Sequence, residues 1–429
     1  MHISLPTAAL LVLGSLARSL ARPLERLPPI NLRSRDVDVP TFSSFLPIDD
    51  PLLQLIRTRA RDVSLKSWEL GTLAEAYLEI DWPQMSVFGA TGVPPARNVG
   101  GTDNPNNIST VLELANYAIA IRPVGAVTLF EDGSVGDPTS LGVAMLMANW
   151  TKASRADEAH NDYDAPLRQQ LGYVLNTAPK TPDGAISHRS EQVQLWSDFI
   201  YMTPPFIAYY GALYQPYVHQ WLVYTAYDQI RLYRNYLFDS NVGLWKHIAL
   251  GNFTDDGHWS TGNGWAAAGM LRVLATMNQT TLGYQPQFLA AQRDLQNWAT
   301  EIVNNIWAYQ QSDGSLLNYA TDPNTFSDSA STALLASVTF RLAALPSYLR
   351  GPPANATPES LRAAHLARDC IKRRLNTTDG WLAQVVDPYS FSNQQTDGKS
   401  PEAESFVLMM EAAWRGWKDY ILEEAKTDR

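Results

Sequence analysis

The chain has 429 residues, with 33 Lys and Arg against 43 Asp and Glu, a formal net charge of −10 at pH 7. That acidic balance argues against nucleic acid or an anionic membrane surface as a partner. Hydrophobic content of 45% and charge of 18% describe a core-forming globular chain, and a lone cysteine, Cys370, excludes an intrachain disulfide framework.

Residues 1–21 read as a secretory leader, with an apolar stretch from Ala8 to Gly14 and small residues Ser19 and Ala21 before the cleavage position. The apolar run is too short to span a bilayer, and no later run of about 20 apolar residues predicts a membrane helix. Residues 22–44 form an N-terminal extension, and 45–429 are expected to be a single catalytic domain. Six Asn-X-Ser/Thr sequons, at Asn107, Asn149, Asn252, Asn278, Asn355 and Asn376, fit an extracellular glycoprotein. Cys370 falls in a helical pattern and reads as a buried small apolar residue.

From residue 45 onward apolar residues recur at helical spacing. The predicted helices are 45–62, 64–81, 106–122, 137–152, 156–177, 192–213, 215–237, 262–277, 284–308, 328–345, 357–375 and 401–424. A turn recurs between them: Asp132-Gly133, Asp183-Gly184, Asn241-Val-Gly243, Asp313-Gly314 and Asp379-Gly380. Each supplies a positive-φ glycine followed by a short extended segment. Spacings of roughly 50–70 residues exceed those of open helical solenoids and favour an all-α (α/α)6 toroid of six helical hairpins. In such a ring the residues just after each turn crowd one cleft: Asp137, His188, His247, Asn318 and Gln384.

The most informative segment is Gln194-Leu-Trp196-Ser-Asp198-Phe-Ile-Tyr201-Met202-Thr-Pro204-Pro205-Phe206. It sets one carboxylate among large apolar and aromatic side chains, where an unpaired charge is costly. Asp198 is therefore either a general acid with its pKa raised by apolar neighbours or the N-cap of a helix. Asp137, in Gly136-Asp137-Pro138, is either a second cleft carboxylate or an N-cap before a helix-starting proline. His188 and His247 end two of the repeated turns, as cleft groups or as partners of loop backbone. In Trp259-Ser-Thr261-Gly-Asn263-Gly-Trp265 the glycines either bring backbone close to a ligand or allow tight helix packing. Thirteen Trp and nineteen Tyr suit sugar stacking as well as core mass. No nucleophile elbow, zinc-protease motif or phosphate loop is present, and the scattered histidines predict no metal; no cofactor is expected.

Trp196-Ser-Asp198-Phe-Ile-Tyr201-Met202-Thr-Pro-Pro205 resembles the Trp-x-Asp-x-x-Tyr/Phe-Met-x-x-Pro signature of glycoside hydrolase family 105, the unsaturated rhamnogalacturonyl hydrolases. Gly243-Leu-Trp-Lys-His247, Trp259-Ser-Thr-Gly-Asn263-Gly-Trp265, Asp328-Ser-Ala-Ser331-Thr332-Ala333 and Ser400-Pro401-Glu402-x-x-Ser405-Phe406 are similar in the family's order. The resemblance spans roughly residues 60–425. It implies an (α/α)6 toroid in which Asp198 protonates the C4=C5 bond of a 4,5-unsaturated uronyl residue and then, as base, directs water to C5. It implies that Asp137 assists, and that His188, Trp196, Tyr201, His247, Trp259, Thr261, Asn263 and Trp265 line the substrate cleft. Thr261 stands where the family places Arg, and Asp328 where it often places Glu. The substrate carboxylate would then be held by another cation, such as Arg189 or Lys246.

The expected protein is a secreted, monomeric glycoside hydrolase removing an unsaturated uronyl residue from cell-wall, pectin-type oligosaccharides by vinyl-ether hydration. Its partner is the oligosaccharide, with neither nucleic acid nor membrane. Two alternatives stay open: an inverting glycosidase of the same fold using Asp137 and Asp198 on saturated substrates, and a sugar-binding homologue without catalysis.

Overall fold

Helix starts and stops are written locally. Asp49 caps α1 (Asp50–Val63), its side chain accepting from Leu52 N at 2.9 Å, with Pro51 in the first turn. The chain continues through α2 (Ser67–Asp81), α3 (Ser109–Ile121), a 3-10 turn Asp137–Leu141 leading into α4 (Gly142–Thr151), and α5 (Asp164–Gly172). Next come β1 (Gln194–Trp196), α6 (Phe199–Met202), α7 (Pro204–Leu213) and α8 (Pro216–Leu237). Three short strands, β2 (Phe238–Asp239), β3 (Leu244–Trp245) and β4 (Ile248–Leu250), lead to α9 (Ser260–Gln279) and α10 (Pro286–Ile306). The order is completed by β5 (Leu316–Leu317), β6 (Ser327–Asp328), α11 (Ser329–Ala343), α12 (Pro358–Arg374) and α13 (Pro401–Thr427). The computed structural model describes residues 46–89, 92–97, 104–152, 162–214, 216–345, 356–427. The predicted leader, the whole N-terminal extension and Asn355 of its sequon lie outside them.

Alternate helices play different parts. α2, α4, α6–α7, α9, α11 and α13 are buried nearly all round, whereas α1, α3, α5, α8, α10 and α12 bury one stripe. The buried set packs α2 on the Asp137–Leu141 turn, that turn on α6, α6 and α7 on α9, α9 on α11, α11 on α13, and α13 back on α2. The ring therefore closes, and the amphipathic helices form an outer layer, as in α7 with α8, α9 with α10 and α11 with α12. This is the all-α (α/α)6 arrangement expected from the repeated turn.

Each of the five turn glycines has positive φ: Gly133 +76°, Gly184 +98°, Gly243 +69°, Gly314 +93° and Gly380 +85°. The extended segments after them pair weakly, β2 with β3 and β5 with β6, or through single bridges such as Leu375 with Leu382. One departure lies in 192–213, predicted as one helix. Its first residues form β1, antiparallel to β4 with Trp196 opposite Ile248, because their backbone bonds to a strand distant in sequence. Thr203 and the proline pair then split the helix into α6 and α7. Among the described residues no helix is long and apolar enough to cross a membrane.

The ring interior is polar well away from the helix starts. Arg272, buried in α9, bonds Glu75 at 2.6 Å and also Glu79, while Arg341 reaches Glu79 at 2.9 Å. These groups lie about 10–20 Å along the inner helices from their first residues, at ~1.5 Å per residue. They fill the centre with a buried charge network in which the Arg341 Nε is left without a partner among the described residues.

Candidate active site

The inner helices begin at one end of the ring, and the cleft is built from their starts. Lys66 and Trp68 stand at the start of α2, and Asp137 opens the 3-10 turn before α4. Asp198 precedes α6, Trp259 precedes α9, and Glu402 lies in the first turn of α13; all line a cavity of about 320 Å³. His188, Arg189, Trp196, His247, Tyr389 and Phe391 complete its walls with Asp132, Met202, Trp265 and Pro388. The volume is that of a small-molecule site. Helix N-termini pointing into it give a field that favours an anion.

Asp198 occupies the N-cap position of α6, yet its side chain makes no capping bond. It accepts instead from Ser197 Oγ at 3.2 Å and faces His247 Nε2 at 3.5 Å. Asp137 likewise makes no capping bond and faces His188 Nε2 at 3.6 Å. Both carboxylates are thus free of the structural duty that local sequence allows them. Burial, and next the charge of Asp198, push Asp137 up to about 7. Burial works the same way on Asp198, but the hydrogen-bonding and charge of His247, with His188, outweigh it and hold this carboxyl below its usual range. The expectation of an Asp198 raised by apolar neighbours is therefore corrected: the raised carboxyl is Asp137, and Asp198 is ionised against an imidazole. Burial brings His188 down to about 4, so it is neutral.

Trp196 forms the aromatic centre. Its ring stacks on His188 (centroids 5.1 Å, 25° between planes) and meets His247 and Phe391 edge-on. Its indole N–H donates to Gln194 Oε1 at 2.9 Å, which fixes the ring. Trp259 is set by a 2.9 Å bond from Nε1 to Asn318 Oδ1.

Of the sequence-predicted site residues, Asp137, Asp198, His188, Trp196, His247, Trp259 and Trp265 meet in the cleft. Tyr201, Thr261 and Asn263 do not line it. The Tyr201 ring packs 4.4 Å from Trp265, with the Arg272 guanidinium 5.0 Å from its centre, in the polar interior. Thr261 is fully buried and its hydroxyl reaches Asp328 Oδ2 at 3.3 Å. Asn263 Oδ1 accepts from Trp245 N at 2.8 Å, while its Nδ2 donates to Trp245 O and Trp259 O. The flanking glycines serve packing: a Cβ at Gly262 would strike Ser197, one at Gly264 Leu334, and one at Gly269 the Ile200 carbonyl. An Arg at 261 would therefore enter a packed interior rather than meet a ligand. Of the substitute cations, Arg189 lines the cleft, paired with Glu191 at 3.0 Å. Lys246 is not among the lining residues and pairs with Asp256 at 2.7 Å.

Sequence reasoning missed Lys66, Trp68, Asp132, Tyr389, Phe391 and Glu402. Asp132 lies in the first repeated turn and Glu402 in the Ser-Pro-Glu motif, so both had a signal; the others come from loops and helix starts with none. Glu402 Oε1 accepts from Trp68 Nε1 at 2.8 Å, and Oε2 is buried without a partner among the described residues. Burial, with Glu69 nearby, raises Glu402 well above the usual carboxylate range. Asp132, bonded by Ser67, is raised to about 6 by burial and Asp137. The cleft therefore holds four carboxyl groups, of which Asp198 is ionised while Asp132, Asp137 and Glu402 are shifted toward their protonated forms. Lys66 makes no ion pair among the described residues and leaves a cation at its wall.

The family model described as Glycosyl Hydrolase Family 88 matches residues 143–341, the span that holds Asp198, His188, His247, Trp259 and Trp265. No curated protein sequence matches the chain. Among solved structures, a possible member of the GH105 family from Salmonella enterica serovar Paratyphi A is similar at 16% identity, with 93% of this chain and 98% of that chain covered and a TM-score of 0.63. A possible member of the GH105 family from Klebsiella pneumoniae gives 16% identity, 93% and 97% coverage and a TM-score of 0.64. The unsaturated glucuronyl hydrolase responsible for glycosaminoglycan degradation in Bacillus sp. GL1 gives 12% identity, 85% and 94% coverage and 0.54. At these identities the structures establish a common toroid.

Proposed function

We propose that the chain, whose residues 143–341 match the Glycosyl Hydrolase Family 88 model, is a glycoside hydrolase that hydrates the vinyl ether of a 4,5-unsaturated uronyl residue at the non-reducing end of pectin-type oligosaccharides. The observation that carries this reading is the presence of two half-buried carboxyls, Asp198 and Asp137, each facing a histidine and neither spent on a helix cap, in an aromatic-walled cleft. Asp198, ionised at rest, takes up a proton and delivers it to C4, and the positive charge that develops at C5 and the ring oxygen is met by water. Asp198, again a carboxylate, takes the proton of that water, and the resulting hemiketal opens and releases the remaining saccharide. Asp137 assists by keeping a proton beside Asp198. Asp137 and Glu402, both shifted toward their protonated forms, with the helix starts and the Lys66 and Arg189 cations, make the cleft tolerant of the sugar carboxylate without an Arg at 261. The leader-like residues 1–21 and the sequons support secretion.

The decisive measurement follows loss of the conjugated C4=C5 ultraviolet chromophore in lyase-generated pectin oligosaccharides. Wild-type protein is expected to remove it. Asp198→Asn should lower kcat by about 10³-fold or more with an unchanged thermal unfolding profile, the range of a lost acid–base group. Near-normal turnover in that variant would end the assignment of Asp198.

One observation favours a second reading: a raised Asp137 beside an ionised Asp198 is the division of labour of an inverting pair, acid and base, on a saturated glycoside. No chromophore loss, with reducing sugar released from saturated oligosaccharides, would select it.

A further inference from the structure

Behind the cleft wall a line of three further groups continues from Asp198. Its Oδ2 faces His247 Nε2 at 3.5 Å; His247 Nδ1 lies 3.0 Å from Asp255 Oδ2; and the Tyr319 hydroxyl donates to that same oxygen at 2.5 Å. The other Asp255 oxygen accepts from Gly257 N at 2.9 Å. The Asp255 backbone bonds Ile248 in both directions, so the loop after β4 is held in place. Neither Asp255 nor Tyr319 belongs to the motifs read from the sequence.

The geometry restricts where protons can sit. An imidazole has two ring nitrogens, and here each faces a carboxylate. Asp255 already receives an O–H and an N–H, so it stays ionised and holds a proton on Nδ1. A neutral His247 would then point a lone pair from Nε2 at Asp198 Oδ2, acceptor against acceptor. One proton must therefore lie between Nε2 and Oδ2, on one atom or the other. The His247 side chain has no solvent exposure and is enclosed by Trp196, Trp259 and Phe391. Nε2 has no closer partner among the described residues. The 3.5 Å gap is longer than a formed hydrogen bond, as contacts of this kind often are before substrate tightens them.

We propose that Asp255 is a positioning residue that makes His247 the proton store for Asp198, an inference that rests on the reading of Asp198 as proton donor. The proton on Nε2 passes to Asp198 Oδ2, and Asp198 delivers that same proton to C4, leaving His247 neutral and Asp198 a carboxylate. Water then adds at C5 and gives a proton to Asp198, and from there one returns to Nε2, so the pair ends as it began. Charge supports the arrangement: burial opposes a protonated His247, but Asp198 and Asp255 outweigh it and raise this histidine above its ordinary value. Asp255 is held below the usual range because His247, Tyr319 and Gly257 outweigh its burial. The other titratable groups that feel the charge of Asp198 are His188, Asp137, Tyr233 and Glu402, and His188 is neutral.

The test reads His247 directly, by NMR titration of its C2–H in substrate-free protein, with wild type, Asp255→Asn and Tyr319→Phe. Wild-type His247 is expected to titrate above 6.5, and Asp255→Asn to bring it down by about one unit or more. Tyr319→Phe removes a donor from Asp255 and strengthens its hold on Nδ1, so it should leave the value unchanged or higher. General disruption of the loop would lower both. In kinetics Asp255→Asn should reduce kcat by about 10–100-fold, as loss of such an orienting partner does at comparable sites. KM should stay within about twofold, the alkaline limb of the rate profile should move to lower pH, and Asp255→Glu should recover part of the loss. A His247 titration that Asp255→Asn does not move would overturn the proposal. The titration needs no substrate, so it decides even where the chromophore assay fails and the proposed reaction falls.

Discussion

Asn263 reads from sequence as a ligand contact, flanked by two glycines and two tryptophans. In the folded chain its amide is spent on Trp245 N, Trp245 O and Trp259 O, which lock β3 to the start of α9. Asn263→Ala would leave buried backbone groups of Trp245 unpaired, at about 1–3 kcal/mol each. The expected outcome is a stability loss of about 3 kcal/mol in denaturant unfolding, with KM of the surviving folded protein little changed. A large KM effect with full stability would return Asn263 to the substrate. Legibility at this scale follows from chemistry. Asp198, Asp137, His188 and His247 were found because a charged or titratable group in an apolar or turn setting is conspicuous in one dimension. Tyr201, Thr261 and Asn263 were misplaced because motif membership does not say which face of a helix a residue presents. Glu402 and Tyr389 were missed because only the ring closure of α13 on α2 brings them to the cleft.

The repeated Asp/Asn-Gly turn is the unit of the fold, and its five glycines differ in what surrounds them. Gly133 has open space where a Cβ would stand, so Gly133→Ala should cost only the left-handed backbone penalty, about 1–2 kcal/mol. At Gly314 the same substitution adds a clash, since a Cβ would lie 2.5 Å from the Leu366 carbonyl of α12. Gly314→Ala is therefore expected to lose clearly more stability than Gly133→Ala in paired thermal unfolding; equal losses would show that α12 yields freely. The turns also explain how a site is made by repetition. Asp137, His188 and His247 follow three of them into the cleft, whereas Asn318 follows a fourth only to hold Trp259 and the Phe391 carbonyl. Gln384 follows the fifth and is exposed. A repeat places positions, and each copy's neighbours decide which become functional.

At the scale of the described ring, burial has left several acids protonated. Glu404, bonded by Leu382 N at 2.8 Å, is raised by burial to about 8, and Asp137 to about 7. Such groups keep their protons in the folded state at pH values where the unfolded chain has lost them. The stability they contribute is complete below about pH 4 and declines as pH rises toward the folded values. Neutral His188 acts oppositely, but only between about 4 and 6.5. Between pH 6.5 and 8 the melting temperature is therefore expected to fall, and Glu404→Gln should fall less, by about 2 °C or more at pH 8. A melting temperature that rises over this interval in wild type would contradict the raised values.

Sequence alone determined the helical hairpins, because a 3.6-residue apolar period and a positive-φ glycine are local properties, and their repetition implied closure. It also marked the acid and histidine chemistry, because a costly group in an apolar run has few explanations. Tertiary structure decided which carboxyl carries the proton, since the levels of Asp137 and Asp198 depend on burial and on His247, nearly fifty residues from Asp198. It decided that Asp255 and Tyr319 stand behind that histidine, and that the Gly-Asn-Gly segment packs helices instead of meeting a ligand. Those outcomes depend on distances between elements remote in sequence, which no local pattern encodes.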